Sequence, residues 1–282
     1  MELAFFTSDD DGESLVATDL AVSSWGADHL HGVAVSGAMA RALEHRIEAE
    51  GRTDLRPARY TADLFRPASR RPLTFTTEVV RAGPRLALLD VVALQDGTPV
   101  ARASGLFLKP TGDTEGEVWM PGTHPSPPPE DVAPPTTEPH VPFLHSDAGW
   151  SQDFREHQNA SRKTSWNSAV PVVAGEAATP FQAIAAIADG ASLVTNWGTR
   201  GVEHINTDIT LTLVRRPAGT EIGLHAVDRL EEDGIAVGTA TVFDRRGALG
   251  TIVLASLANA RRTVDLGKEQ WEDDGRRTTS GA

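Results

Sequence analysis

The sequence predicts an α+β fold built as two repeats, each a curved antiparallel sheet wrapped around a central apolar helix. Three observations carry this. The 282-residue chain is written twice around a proline-rich insert. Each copy holds one helix candidate with almost no polar face. Each helix candidate is followed by strand candidates joined by tight-turn signals. A helix that is apolar nearly all round must be enclosed, and a curved antiparallel sheet is an economical enclosure.

The first helix is read at 32–47, GVAVSGAMARALEHRI, and its repeat mate at 180–194, PFQAIAAIADGASLV. After the first come TADLFRPASRRP (61–72), LTFTTEVV (73–80), LALLDVVAL (86–94) and PVARASGLFL (99–108). The turn QDGT at 95–98 is a hairpin signal, because Asp-Gly accepts the left-handed backbone of a two-residue loop. After the second come NTDITLTLVRRP (206–217), EIGLHAV (221–227), GIAVGTATVF (234–243), a turn at DRRG (244–247) and LGTIVLASLA (249–258). Asp63 and Asp208 share one offset with Arg71-Pro72 and Arg216-Pro217, which marks an internal repeat. Ile209, Leu211 and Leu213 alternate with Thr210 and Thr212, the period of a half-buried strand.

The stretch at 111–142 is rich in Pro, Thr and Glu without periodicity and reads as a linker, with Trp119 and Met120 expected to pin it to the surface. The expected organisation is therefore a first unit at 1–110, the linker at 111–142, a second unit at 143–263 and a polar tail at 264–282.

Composition excludes several function classes. The net charge of −13 argues against binding nucleic acid or an anionic membrane surface. There is no cysteine, so disulfides, thiolate metal sites and a cysteine nucleophile are ruled out. The nine histidines form no ligand-spaced set, so no metal is expected. No apolar run reaches the ~20 residues of a membrane span, and no secretory leader is read at the N-terminus. A cytoplasmic protein without a cofactor is the expectation.

The repeat order, HGVAVSGAMARAL (31–43), ADGAS (188–192) and INTDITLTLVR (205–215) together make the chain resemble the double-hotdog acyl-CoA thioesterases of the thioesterase II type. The resemblance implies two hotdog units in one chain, a continuous sheet, and an acyl-CoA substrate bound near the interface of the units. It also implies a water held and activated by an Asp on the second central helix, a Thr on the next strand and a Gln on the last strand. Here the Asp falls on Asp189, the Thr on Asn206, and the Gln near 254–256, where Leu-Ala-Ser stands and no Gln occurs. Ser256 is the side chain there that could bind the water.

Thioester hydrolysis needs a base for water and donors for the developing oxyanion. Asp189 is the one charge in the twenty residues at 179–198, and burial would raise its pKa and improve it as a base. Asn206 shares a strand face with Asp208, whereas Thr207 points the other way. The N-terminus of the first helix, His31-Gly32-Val33, offers free N–H groups for the oxyanion. Arg70, Arg71, Arg215 and Arg216 are the candidate phosphate ligands for CoA, or alternatively turn-flanking residues. Structural readings stand beside these. His31 can be a helix cap, and Arg41, the repeat mate of Asp189, can pair with it. Two rival functions also stand: a non-catalytic acyl-thioester binder, which the missing Gln favours, and a hotdog enoyl-thioester hydratase using the DHLHG stretch at 28–32. Such chains can further associate as homo-oligomers.

Overall fold

The computed structural model describes residues 3–9, 14–259, 262–268, 270–271 and 277–278. Twelve strands form one antiparallel sheet. In chain order they are β1 (Arg56–Asp63), β2 (Thr74–Ala82), β3 (Leu86–Gln95), β4 (Thr98–Leu108), β5 (Phe143–Ser146) and β6 (Gly149–Ser151). Then follow β7 (Thr164–Ser168), β8 (His204–Asn206), β9 (Asp208–Leu213), β10 (Glu221–Glu232), β11 (Ile235–Asp244) and β12 (Gly247–Ala258). The spatial order is β6-β5-β7-β10-β11-β12-β9-β1-β4-β3-β2, with β8 beside β12. Each half contributes the same run of four strands, and the halves meet where β9 pairs with β1, Asp208 opposite Asp63 and Leu211 opposite Tyr60.

Two helical segments line the inside of this sheet. The first, α1 (Gly32–Ala49), is capped by the His31 side chain, which accepts from the Ala34 N–H. Gly51, at φ +68°, follows its end. Residues 34–40 of α1 are buried on every side; charged side chains enter only after them, from Arg41 and Glu44 to Arg46 and Glu48. The second segment begins as α2 (Pro180–Ile187), with Thr179 as N-cap and Pro180 in the first turn, where its missing N–H costs nothing. The sequence predicts one helix over 180–194. Instead, a 3-10 turn at Ala188–Gly190 interrupts it before α3 (Ala191–Asn196). Such tightening in mid-helix commonly marks a functional position, and Asp189 sits in it.

The two helices run antiparallel. Going along α1, Gly32 lies against Asp189, Ser36 donates to the Ala185 carbonyl at 2.7 Å, and Glu44 bonds Gln182 at 2.8 Å. Close approach depends on Gly37, where a Cβ would stand 3.1 Å from that of Ala186. The hairpin at 95–98 forms as read, with Asp96 and Gly97 at φ 48° and 72°. The turn at 244–247 also forms, joining β11 to β12.

The 111–142 segment contains no helix or strand. Trp119 and Met120 do not anchor it, since each is 83% exposed. The anchor is Ala133, buried against Trp166 and Phe243, with its carbonyl accepting from Arg245 at 2.9 Å.

Candidate active site

The 3-10 turn delivers the Asp189 carboxylate to the N-terminus of α1. The Val33 N–H donates to it, and Asn206 Nδ2 donates to Oδ1 at 2.9 Å. Gly32 is what admits it: a Cβ on Gly32 would lie 2.4 Å from Oδ1 and 2.6 Å from Oδ2. Burial is the largest influence on this acid and pushes its pKa up; the bonds from Asn206 and Val33 pull it partly back, and the net direction is upward. The helix N-terminus adds a favourable partial charge for the ionised form. The result is a carboxylate that is held in place yet more basic than an exposed one. Nearby, burial is also the main reason the Tyr60 phenol is pushed above its ordinary range, with the Asp189 charge adding to it; its OH bonds to Ser36.

Asn206 and Ser256 stand directly opposite each other on β8 and β12. Thr207 turns away, its N–H and hydroxyl both directed at the Ala255 carbonyl. Asp208 accepts from the Ala255 N–H at 2.8 Å, which braces the step from β8 to β9. Ser256 Oγ does not contact Asp189; it accepts from Asn196 Nδ2 at 3.0 Å. Asn196 Oδ1 in turn accepts from Arg229 Nε at 3.2 Å. Asn196 and Arg229 also line a cleft of about 550 Å³ at the end of α3. Neither residue is singled out by the sequence. The available signal was the seven-residue spacing from Asp189 to Asn196, two helical turns on one face.

Several expectations are corrected. Arg41 does not pair with Asp189; it grips Glu176 with two bonds, one of 2.6 Å. Glu44 covers the adjacent α2 N-terminus, accepting from Thr179 at 2.7 Å and Gln182 at 2.8 Å. The mirror position of the Asp189 site is thus filled by the chain's own side chains. His31 is a cap: Nδ1 accepts from Ala34 N–H and Nε2 lies 2.9 Å from the Leu20 carbonyl, so both ring nitrogens are committed. The N–H groups of Val33 and Ala34 are likewise used, by Asp189 and by His31.

The four arginines do not converge. Arg70 bonds Asp19 at 2.6 Å and Arg71 pairs with Asp96. Because Arg70 N–H also bonds the Asp28 carbonyl, this pair lies near the start of α1. Arg215 clamps Asp244 with bonds of 2.8 and 2.7 Å, and Arg216 reaches the Leu55 carbonyl beyond the far end of α1, ~27 Å of helix away. Arg215 and Arg216 therefore close loops at the opposite end from Asp189. Among the described residues no group of His, Asp or Glu could hold a metal ion, and no helix is long and apolar enough to cross a membrane.

Comparison with known proteins places the chain in a family. No curated protein matches the chain. Among solved structures, a tesB protein of Mycobacterium avium subspecies paratuberculosis is 17% identical over 87% of this chain and 92% of its own, with a TM-score of 0.61. A putative thioesterase II of Thermobifida fusca is 14% identical over 92% and 98%, with a TM-score of 0.65. A conserved hot dog fold protein of unknown function from Alicyclobacillus acidocaldarius is 19% identical over 90% and 96%, with a TM-score of 0.63. At these identities the likeness speaks for the fold. The family models add the activity: the acyl-CoA thioesterase N-terminal domain matches residues 21–108 and its C-terminal domain matches residues 113–253. The chain belongs to the acyl-CoA thioesterase family and is a thioester hydrolase.

Proposed function

We propose that the protein is a double hotdog, with units at 1–110 and 143–263, and that it hydrolyses an acyl-CoA or related acyl thioester at one site with Asp189 as the base. The observation that carries this reading is the Asp189 carboxylate, raised in pKa by burial and fixed by Val33 and Asn206 at the N-terminus of α1. Asp189 takes a proton from water as the water oxygen bonds to the thioester carbon. The carbonyl oxygen becomes an oxyanion, for which Gly32 N–H is the donor left over at this helix end, bonded to no described residue. When the C–S bond breaks, the thiolate leaves with the electron pair and the proton passes to it, giving the acid and the free thiol. Of the four arginines, Arg70 and Arg71, on the Asp189 side and paired with Asp19 and Asp96, are assigned to the CoA phosphates. No metal or cofactor takes part, and a cytoplasmic location fits such a substrate.

The hydratase reading loses one of the two histidines of its DHLHG stretch, because both ring nitrogens of His31 are committed. The binder reading keeps one observation: Ala255, not Gln, stands beside Ser256 on β12. Thiol release from butyryl-, octanoyl- and palmitoyl-CoA by the native chain and by Asp189→Asn decides. Loss of turnover in the variant is expected; full turnover would remove Asp189 as the base, and saturable binding without thiol release by the native chain would favour the binder.

A further inference from the structure

Ser256 is only 2% exposed, and its Oγ is the acceptor of the Asn196 amide. A hydroxyl that accepts at one lone pair keeps its own hydrogen for a different partner. The amide cannot be turned round. Arg229 can only donate, so the atom it faces must be the Asn196 oxygen, and the NH₂ must then face Ser256. Arg229 is itself held by Glu231 at 2.6 Å. The side-chain sequence Glu231–Arg229–Asn196–Ser256 therefore sets the direction of each bond along it.

At its inner end, Ser256 faces Asn206 across paired strands. Asn206 spends Nδ2 on Asp189. Among the described residues, nothing donates to Asn206 Oδ1 and nothing accepts from the Ser256 hydroxyl. The open acceptor of half-buried Asn206 and the donor of buried Ser256 thus face each other beside a carboxylate, and unmet groups of this kind are ordinarily satisfied by water. A water accepting from Ser256 and donating to Asn206 Oδ1 and Asp189 has one lone pair left, which is the geometry an attacking nucleophile needs.

We infer that Asn196 is a positioning residue for hydrolysis: it keeps the Ser256 hydroxyl pointed as a donor at the attacking water, and Arg229 keeps Asn196 in that orientation. This rests on Asp189 being the base. The arrangement supplies from the second central helix an amide that the last strand lacks.

The test is Asn196→Asp. The introduced carboxylate is the same size and gains an ion pair with Arg229, but it can only accept. Ser256 must then donate to it and withdraws its hydrogen from the water. The expected result is thermal stability equal to or above the native chain, KM for octanoyl-CoA within about twofold, and kcat lower by about ten- to a hundredfold, the scale of losing one oriented donor. A purely structural Asn196 would keep kcat in this variant. In a second measurement, Asn196→Ala is expected to slow the native chain but to add no further loss in a Ser256→Ala background. Native kcat in Asn196→Asp, or equal losses from Asn196→Ala in both backgrounds, overturns the inference. If Asp189→Asn retains turnover, the base assignment fails instead; if Asp189→Asn is dead while Asn196→Asp is fully active, only the relay fails.

Discussion

Gly32→Ala isolates the contact on which the site depends. The added Cβ would stand 2.4 Å from Asp189 Oδ1, whereas real Cβ atoms essentially never come closer than 3.0 Å, so 3.0 minus 2.4 leaves a retreat of at least about 0.6 Å. The carboxylate cannot retreat without stretching its bonds from Val33 N–H and Asn206. Displacements approaching 1 Å in a positioned catalytic group cost about 10²-fold in rate. The effect on folding is smaller and mixed in sign. Overpacking costs about 1–3 kcal/mol, and replacing glycine by alanine in a helix returns up to about 1 kcal/mol. The predicted outcome is a folded protein, modestly changed in melting temperature, with kcat lower by about a hundredfold. Gly37→Ala is the control: its Cβ would press on Ala186 and Val172 at 3.1 and 3.2 Å, away from the carboxylate, so it should lower stability and spare kcat. Thiol-release kinetics and thermal denaturation of both variants make the comparison. A Gly32→Ala protein with native kcat would refute the claim that Asp189 works from the cradle of α1.

Three further outcomes follow from the same contacts. Because the folded pKa of Asp189 is raised, stability is fully present below the ordinary carboxylate pKa and is lost as pH rises through the higher folded value; Asp189→Asn should thus gain stability relative to the native chain across that window, seen in denaturation midpoints at acidic and neutral pH. Asn206→Ala removes a bond that lowers this pKa, so the acidic limb of kcat/KM should move to higher pH and kcat should fall about tenfold or more, consistent with ~1.5–3 kcal/mol for a bond to a charged group. Asp244→Ala strips a buried carboxylate that accepts from Arg215, Ala218 N–H and Arg246 N–H, and should destabilise by about 3–5 kcal/mol in urea unfolding without touching the chemistry at Asp189.

The parts of the fold legible in the sequence are those governed by local rules. Both central helices show because Ala, Gly and Ser run without a polar face, and the 95–98 hairpin shows because Asp-Gly tolerates left-handed backbone. Asn206 is reached through the family resemblance, with strand alternation setting it apart from Thr207. What is not legible depends on distant partners. The 3-10 break at 188–190 has no proline to announce it. Arg41 reads as a partner for Asp189 by repeat position, but Glu176 lies in a loop whose route no local pattern foretells. Asn196 and Arg229 are 33 residues apart, on α3 and on β10 just past a register shift between Ala226 and Arg229, and no local pattern brings them together. Asp189 itself was visible as a lone charge; the groups that hold it come from two other elements, α1 and β8.

The two halves share a plan but not a chemistry, and the difference can be counted. At the α1 N-terminus the partner helix presents Asp189, Gly32 leaves room for it, and a strand supplies Asn206. At the α2 N-terminus the corresponding position is Arg41, drawn aside by Glu176, and Glu44 occupies the place before the helix by bonding Thr179 and Gln182. An acyl thioester entering there would meet no counterpart of Asp189, and it would have to displace Glu44 from its two bonds, each worth ~1.5–3 kcal/mol for a hydrogen bond to a charged group. With Asp189 as the proposed base, one productive site per chain is the expectation. Calorimetric titration with the ketone analogue of octanoyl-CoA, in which a methylene replaces the sulfur, should give one site per chain in the native protein and in Arg41→Gln alike. Two equivalent sites per chain would mean that Glu44 yields to substrate and that the asymmetry in charge is not an asymmetry in function.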